Sequence, residues 1–259
     1  MMVYKPDMMV FAHHLADIAG DIALPYFRTS IEVDIKHDES PVTRADREIE
    51  AALRTLIHEQ FPDHGVMGEE FAAHQAENDF VWVLDPIDGT RAFLAGRPTF
   101  SSLIALCFKG TPILGIMDQP FIKERYSGAA SENSLLNGQP ISARDCKTLE
   151  KATIATTSPH YFSEKNTPLF EALRDNCKDV IYGGDAYNYM QLSAGYIDVV
   201  CEAELKAHDV LALRPIIEGA GGVITTWQGK PLTMQNYDTV IATGNAELHK
   251  IALNVLAGH

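Results

Sequence analysis

Residues 80–99 constrain this chain more than any other stretch. Phe80-Val-Trp-Val-Leu84 is an unbroken apolar run, the pattern of a buried strand. It delivers two carboxylates, Asp85 and Asp88, into a turn expected from Pro86 and Gly89. Ile87 lies between them, where its backbone carbonyl can face the same side as the acids. Two anionic groups and a carbonyl at the end of a rigid strand form an oxygen set of the kind Mg²⁺ takes, often together with a substrate phosphate. Thr90 adds a hydroxyl able to hold a water. A bare Asp-x-x-Asp has a plainer reading as turn chemistry, because Asp and Gly favour turns in any protein.

Further acids stand around this motif. Gly68-Glu69-Glu70 lies upstream, and Thr43-Arg-Ala-Asp46 has the spacing of a helix cap. Downstream, Gly183-Gly184-Asp185 precedes a helical pattern, and Glu202 lies seven residues before Asp209. Asp209 opens a second glycine-punctuated helical stretch that ends at Gly221-Gly222. Each has a structural reading: solvated acids after a strand, a cap, or a carboxylate favoured by a helix N-terminus.

Taken together, these stretches resemble the signatures of the inositol monophosphatase family of Mg²⁺-dependent phosphatases, and the match covers nearly the whole chain. The run from Arg91 to Thr99 is more similar to the histidinol-phosphate phosphatase branch than to the inositol branch. The resemblance implies a layered α-β-α-β-α sandwich of the inositol monophosphatase/fructose-1,6-bisphosphatase type. It implies two or three Mg²⁺ ions held by Glu69, Asp85, the carbonyl of Ile87, Asp88 and Asp209. Asp46 and Thr90 would orient the attacking water, with Glu69 also in the catalytic group and no covalent phosphoenzyme formed. Substrate contacts are implied for Asp88, Gly89, Thr90, Arg91, Asp185, Glu202 and Asp209, and Lys36 is placed near the site. A homodimer is the common assembly. The chain departs from its relatives at His208, where a large aromatic side chain usually precedes the Asp.

Composition narrows the partners. With 259 residues, 46% of them hydrophobic, the chain has material for a sizeable core. A formal net charge of −14 opposes binding to nucleic acid or an anionic membrane surface. The same charge means that an enzyme acting on phosphate needs metal ions to offset repulsion. Cys107, Cys146, Cys177 and Cys201 are dispersed without a Cys-x-x-Cys, as in a reducing cytoplasm. Charges interrupt the first apolar stretch, so no signal peptide is expected, and no apolar run approaches the ~18 residues of a membrane span.

Along the chain, helical spacing predicts a helix over 8–28 and another from Thr43, and alternation predicts an edge strand over 31–36. Runs at 101–108 and 112–117 around Lys109-Gly110 predict a hairpin, and 123–127 with 134–142 continue a meander through Asn137-Gly138. Strands then alternate with helices: strands at 152–156, 180–182, 196–202, 223–226 and 238–242, and helices at 167–176, 185–194, 208–220 and from Asn245 to about Leu256. This pattern predicts an α+β half over residues 1–145, carrying the main metal motif, and an α/β half over 146–259, carrying Asp209 and substrate contacts.

The reading is a Mg²⁺-dependent phosphomonoesterase acting on a small phosphorylated metabolite. Asp185 and Glu202 on the leaving-group side suit a cationic substrate, and histidinol phosphate carries an ammonium group and an imidazole. Inositol phosphate, or a sugar or nucleotide phosphate, is the rival within the class. A non-catalytic regulator that binds a phosphorylated ligand is the rival outside it.

Overall fold

The computed structural model describes residues 6–30, 33–35 and 41–258. Lys36 lies outside them, as do the ends of the expected 31–36 strand. Helix α1 (Pro6–Ala23) buries Met8, Ala12, Leu15, Ala16 and Ala19. It stops short of residue 28, because Pro25 has no N–H to donate and disfavours helical backbone in the residue before it. A ribbon of β1 (Val33–Ile35) and β2 (Pro41–Thr43) leads into α2 (Arg44–Gln60). Thr43 caps α2 as expected: its hydroxyl accepts from the Ala45 amide, and Asp46 accepts from the Thr43 amide at 2.8 Å.

A seven-stranded sheet follows, made of β3 (Gly65–Gly68), β4 (Phe80–Asp88), β5 (Ser101–Phe108), β6 (Thr111–Gln119), β7 (Glu124–Ala129), β8 (Leu135–Leu136) and β9 (Gln139–Pro140), in chain order. Only the β3–β4 pair is parallel. The turns at Lys109-Gly110 (φ 48° and 77°) and Asn137-Gly138 (φ 49° and 77°) hold two left-handed residues each, which matches the twist of tight hairpins.

Strand β4 corrects one expectation. It does not turn at Pro86 but runs on to Asp88, so both acids belong to the strand. Asp85 pairs with Leu103 and Asp88 with Ser101, so β4 carries one extra residue there. Pro86 cannot donate to the ladder and sits within this bulge, its carbonyl accepting from the Ser102 hydroxyl at 2.6 Å. The turn is made after Asp88, at Gly89 (φ 75°), and opens the short helix α3 (Thr90–Leu94).

The second sheet has the order β11-β10-β12-β14-β13, from β10 (Thr153–Thr156), β11 (Asp179–Tyr182), β12 (Val199–Ala203), β13 (Val223–Thr225) and β14 (Thr239–Thr243). β10 runs parallel to β11 and β12, and β14 antiparallel to β12 and β13. The helices are α4 (Thr167–Asp175), α5 (Tyr187–Ser193), α6 (Ala207–Val210), α7 (Leu213–Gly219) and α8 (Ala246–Leu256). The single helix expected over 208–220 is two. Backbone angles stay helical at Leu211 and Ala212, but Pro215 offers no N–H to the Leu211 carbonyl, and the ladder is interrupted there.

Three cores hold five layers together, the middle one enclosing the central helices between the two sheets. Trp82, Leu84, Ile104 and Leu106 face α1 and α2. Val81, Val83, Leu103 and Ala105, on the opposite face, pack with α5–α7 and with Val200, Val240 and Ala242 of the second sheet. Val199, Cys201 and Ile241 cover its outer face against α4 and α8. β4 is thus buried on both sides, each large apolar side chain contributing roughly 1.5–3 kcal/mol, which fixes the strand that carries the acids. The expected α-β-α-β-α sandwich is the architecture observed. No helix among the described residues is long and apolar enough to cross a membrane.

Candidate active site

Three chain segments converge at one end of the seven-stranded sheet. Glu69 leaves the end of β3, Asp85 and Asp88 come from the bulged end of β4, and Asp209 comes from α6. One oxygen of Asp209 accepts from the Lys206 amide at 2.7 Å, which ties the acid to the first turn of its own helix. Asp88 accepts from the Ala186 amide at 2.8 Å. An N–H group at the start of α5 is therefore spent on Asp88, and this bond links the two sheets' halves of the site. Ile87 buries its side chain under α1 and α2, and its carbonyl accepts from the Thr90 hydroxyl at 3.2 Å.

The acids are close enough to repel one another. Burial pushes Asp85 well above the usual carboxylate range, and Glu69, Asp88, Asp209 and Asp46 push it further. Burial and then Asp185 do the same for Asp88. Asp46 rises to about 6 through burial, with Glu69 adding to the rise and the Thr43 hydrogen bonds opposing it. Asp209 is also raised, mainly by burial. Asp46 and Asp85 are 0% and 3% exposed, and each keeps one carboxylate oxygen buried without a hydrogen-bond partner. Buried anionic acceptors without donors are costly unless a cation meets them. An oxygen-rich anionic set with orphaned acceptors fits a hard divalent ion. Ligand atoms of Glu69, Asp85 and His208 lie within 4.8 Å of one another, a spacing that can close on one ion.

These groups border a cavity of about 430 Å³. Glu69, Asp88, Gly89, Thr90 and exposed Arg91 line it together with Asp185, Glu202, His208 and Asp209. Asp46 and Asp85 lie behind this wall, in electrostatic reach of Glu69. Asp185 packs directly on Gly89: a Cβ there would lie 2.9 Å from its carboxylate, besides needing φ 75°. Burial lifts Asp185 to about 6, with Arg97 opposing the rise. Glu202 is lifted to about 7 by burial, and is held by the Thr157 amide at 2.8 Å and the Tyr189 hydroxyl at 3.0 Å.

Comparison with known proteins places this geometry. The profile of the inositol monophosphatase family matches residues 5–257. The chain belongs to the inositol monophosphatase family. Among its relatives, the chloroplastic bifunctional phosphatase IMPL2 of Arabidopsis thaliana is 44% identical over 95% of this chain and 73% of its own length. A histidinol-phosphatase of Chlorobaculum parvum is 35% identical over 87% of each chain. The structure of an inositol monophosphatase from Zymomonas mobilis superposes with a TM-score of 0.91 at 43% identity, covering 99% of this chain and 100% of that one. This chain is thus a phosphatase of that family with its fold.

In this inositol monophosphatase relative, sequence reading overlooked the groups that hold the acids in place. Glu50 is 0% exposed and accepts from the amides of Glu70 (2.7 Å) and Phe71 (3.2 Å) and from Arg54 Nε (2.7 Å). It so fixes the loop that presents Glu69, and Gly68 is required because a Cβ would lie 2.1 Å from the Glu50 carboxylate. A signal was present: Asp46, Glu50 and Arg54 recur at i, i+4 and i+8, on one face of α2. Thr157, Tyr189 and Arg97 had no such signal, because only the tertiary fold brings them to Glu202 and Asp185.

Proposed function

We propose that this phosphatase hydrolyses a phosphomonoester with a cationic alcohol, L-histidinol phosphate, with Mg²⁺ as its cofactor. The observation that carries the reading is the pair Asp185 and Glu202, two acids in the lining of the same cavity as Glu69, Asp88 and Asp209. Glu69, Asp85, the Ile87 carbonyl, Asp88 and Asp209 would hold two or three ions. When bound, Mg²⁺ neutralises the phosphate and makes a water nucleophilic near neutral pH. The chain's own part is orientation. Asp46 spends one oxygen on Thr43 and keeps the other for the site, and Thr90 keeps acceptor capacity while donating to Ile87. Arg91 is exposed at the cavity edge, where it can meet phosphate. The named activity of the Chlorobaculum parvum relative supports the substrate.

Inositol phosphate is the second reading, supported by the Zymomonas mobilis enzyme. The acid surplus of the cavity favours the cation. Unpaired cysteines among the described residues suit a reducing cytoplasm. A homodimer formed through the exposed edge strand β11 completes the proposal; Val180, Ile181 and Tyr182 are 37%, 42% and 46% exposed there.

Glu202→Gln tests the substrate. A charge-assisted hydrogen bond is worth roughly 1.5–3 kcal/mol, so kcat/KM for histidinol phosphate should fall about ten- to a hundredfold. Inositol phosphate, which lacks the cation, should lose much less at fixed Mg²⁺. Assaying at pH 8, above the value near 7 for Glu202, keeps the carboxylate charged in the wild type. Equal losses on both esters would remove Glu202 as the reader of the amine, and a wild-type preference for inositol phosphate would overturn the assignment.

A further inference from the structure

We propose that His208 supplies a nitrogen ligand to the ion held between Glu69 and Asp85, and that it raises the site's affinity for first-row transition-metal dications while leaving Mg²⁺ binding little changed. The proposal rests on the reading of this cavity as a metal site and goes beyond it in naming a ligand outside the all-oxygen set. His208 sits in the α6 turn, next to Asp209, with its side chain 11% exposed in the cavity wall. One of its ring nitrogens and one carboxylate oxygen each from Glu69 and Asp85 lie within 4.8 Å of one another. Ligands on opposite sides of a small dication at ~2.1 Å are themselves ~4.2 Å apart, so a small side-chain adjustment closes this set on one ion. Nε2 is also 3.4 Å from Oδ1 of Asp209, a contact that orients the ring, although Asp209 stands outside this group of three.

The chemistry of the donor points the same way. Glu69, Asp85, Asp88 and Asp209 already concentrate negative charge. A neutral imidazole adds a donor without adding repulsion. Carboxylate and carbonyl oxygens suit Mg²⁺, whereas imidazole suits zinc, cobalt and their neighbours, whose affinity for nitrogen rises along the first row. An aromatic ring at this position, as the family resemblance leads one to expect, would bring no ligand atom of this kind.

The test uses the full chain. With Mn²⁺ bound, pulsed electron paramagnetic resonance should show coupling to a directly bound nitrogen, and ¹⁵N-histidine labelling should change the pattern as that isotope requires. The chain has ten histidines, so His208→Phe assigns the signal, which should vanish. By titration calorimetry, His208→Phe should weaken Co²⁺ binding about tenfold or more, a scale typical of losing a group at a metal centre, and leave Mg²⁺ within about twofold. Absence of nitrogen coupling in the labelled wild type would overturn the proposal even if the variant failed to fold. Retained coupling or an unchanged Co²⁺-to-Mg²⁺ ratio in a folded variant would do the same. Mg²⁺-dependent phosphate release by the wild type is scored separately, so loss of the phosphatase reading and loss of the nitrogen ligand are distinct results.

Discussion

One oxygen of Asp46 closes the first turn of α2 while the other stays buried without a partner, so a single carboxylate serves the helix and faces the site. Asp88 divides its duties too, between the Ala186 amide and the cavity. Asp88→Asn keeps an oxygen for Ala186 and removes a charge that Asp185 and burial oppose. The metal-free variant should melt no lower than wild type. Turnover should fall by at least the roughly hundredfold that a supporting group at a metal costs, and Mg²⁺-dependent thermal stabilisation should shrink. Normal Mg²⁺ stabilisation with normal turnover would take Asp88 out of the ligand set. Glu50→Gln offers one acceptor oxygen to three donors, from Arg54, Glu70 and Phe71. The Mg²⁺ concentration for half-maximal rate should rise about 10- to 100-fold, with kcat at saturating Mg²⁺ far less affected; a fall in kcat alone would contradict a positioning role. The acids themselves were legible through the family resemblance, since a bare Asp-x-x-Asp reads as well as turn chemistry. Their supports were not, since Thr157 and Tyr189 are 45 and 13 residues from Glu202.

Elements were legible where apolar period and turn chemistry agreed, as in α2, the β5–β6 hairpin and α8. They were misread where proline acts through a missing hydrogen bond. Pro25 ends α1, Pro86 bulges β4 and Pro215 splits α6 from α7, and none of these changes the apolar pattern. Junctions between elements also hide buried polar groups. His249 of α8 is 5% exposed and contacts the hydroxyls of Thr225 (2.9 Å) and Thr243 (3.1 Å) from β13 and β14. Burial lowers its pKa from 6.5 to about 4. The unfolded chain therefore takes up a proton below pH 6.5 that the folded chain refuses, and the stability this site contributes above that pH is lost as pH falls toward 4. At ~1.4 kcal/mol per unit, the loss between pH 7 and 4.5 is about 2–3 kcal/mol. Urea unfolding of His249→Gln should show a pH loss smaller than that of wild type by this amount. Identical losses would mean that the ring is protonated in the fold.

At the scale of the whole molecule, the pattern of helices, meander and alternation led to an α+β half followed by an α/β half, and the family resemblance to five layers, but neither could show which faces meet or which edges stay open. β11 is such an edge, with Val180, Ile181 and Tyr182 open to solvent. If it carries the proposed dimer contact, Ile181→Lys should lower the mass in sedimentation equilibrium to that of a monomer, 28.5 kDa, with helix content unchanged. A wild-type protein that is already monomeric at assay concentration would reject the contact. The span of the acidic centre has a further consequence, for synthesis. Asp46 to Asp88 are made before the second sheet, whereas Asp209 lies in α6, after β12. A ribosome must pass the Asp209 codon, and α6 must dock against β4 and β5, before the full set of carboxylates exists. If these acids hold the proposed ions, the complete ligand set exists only after α6 docks, and the apolar packing of α1, α2 and the first strands comes before it.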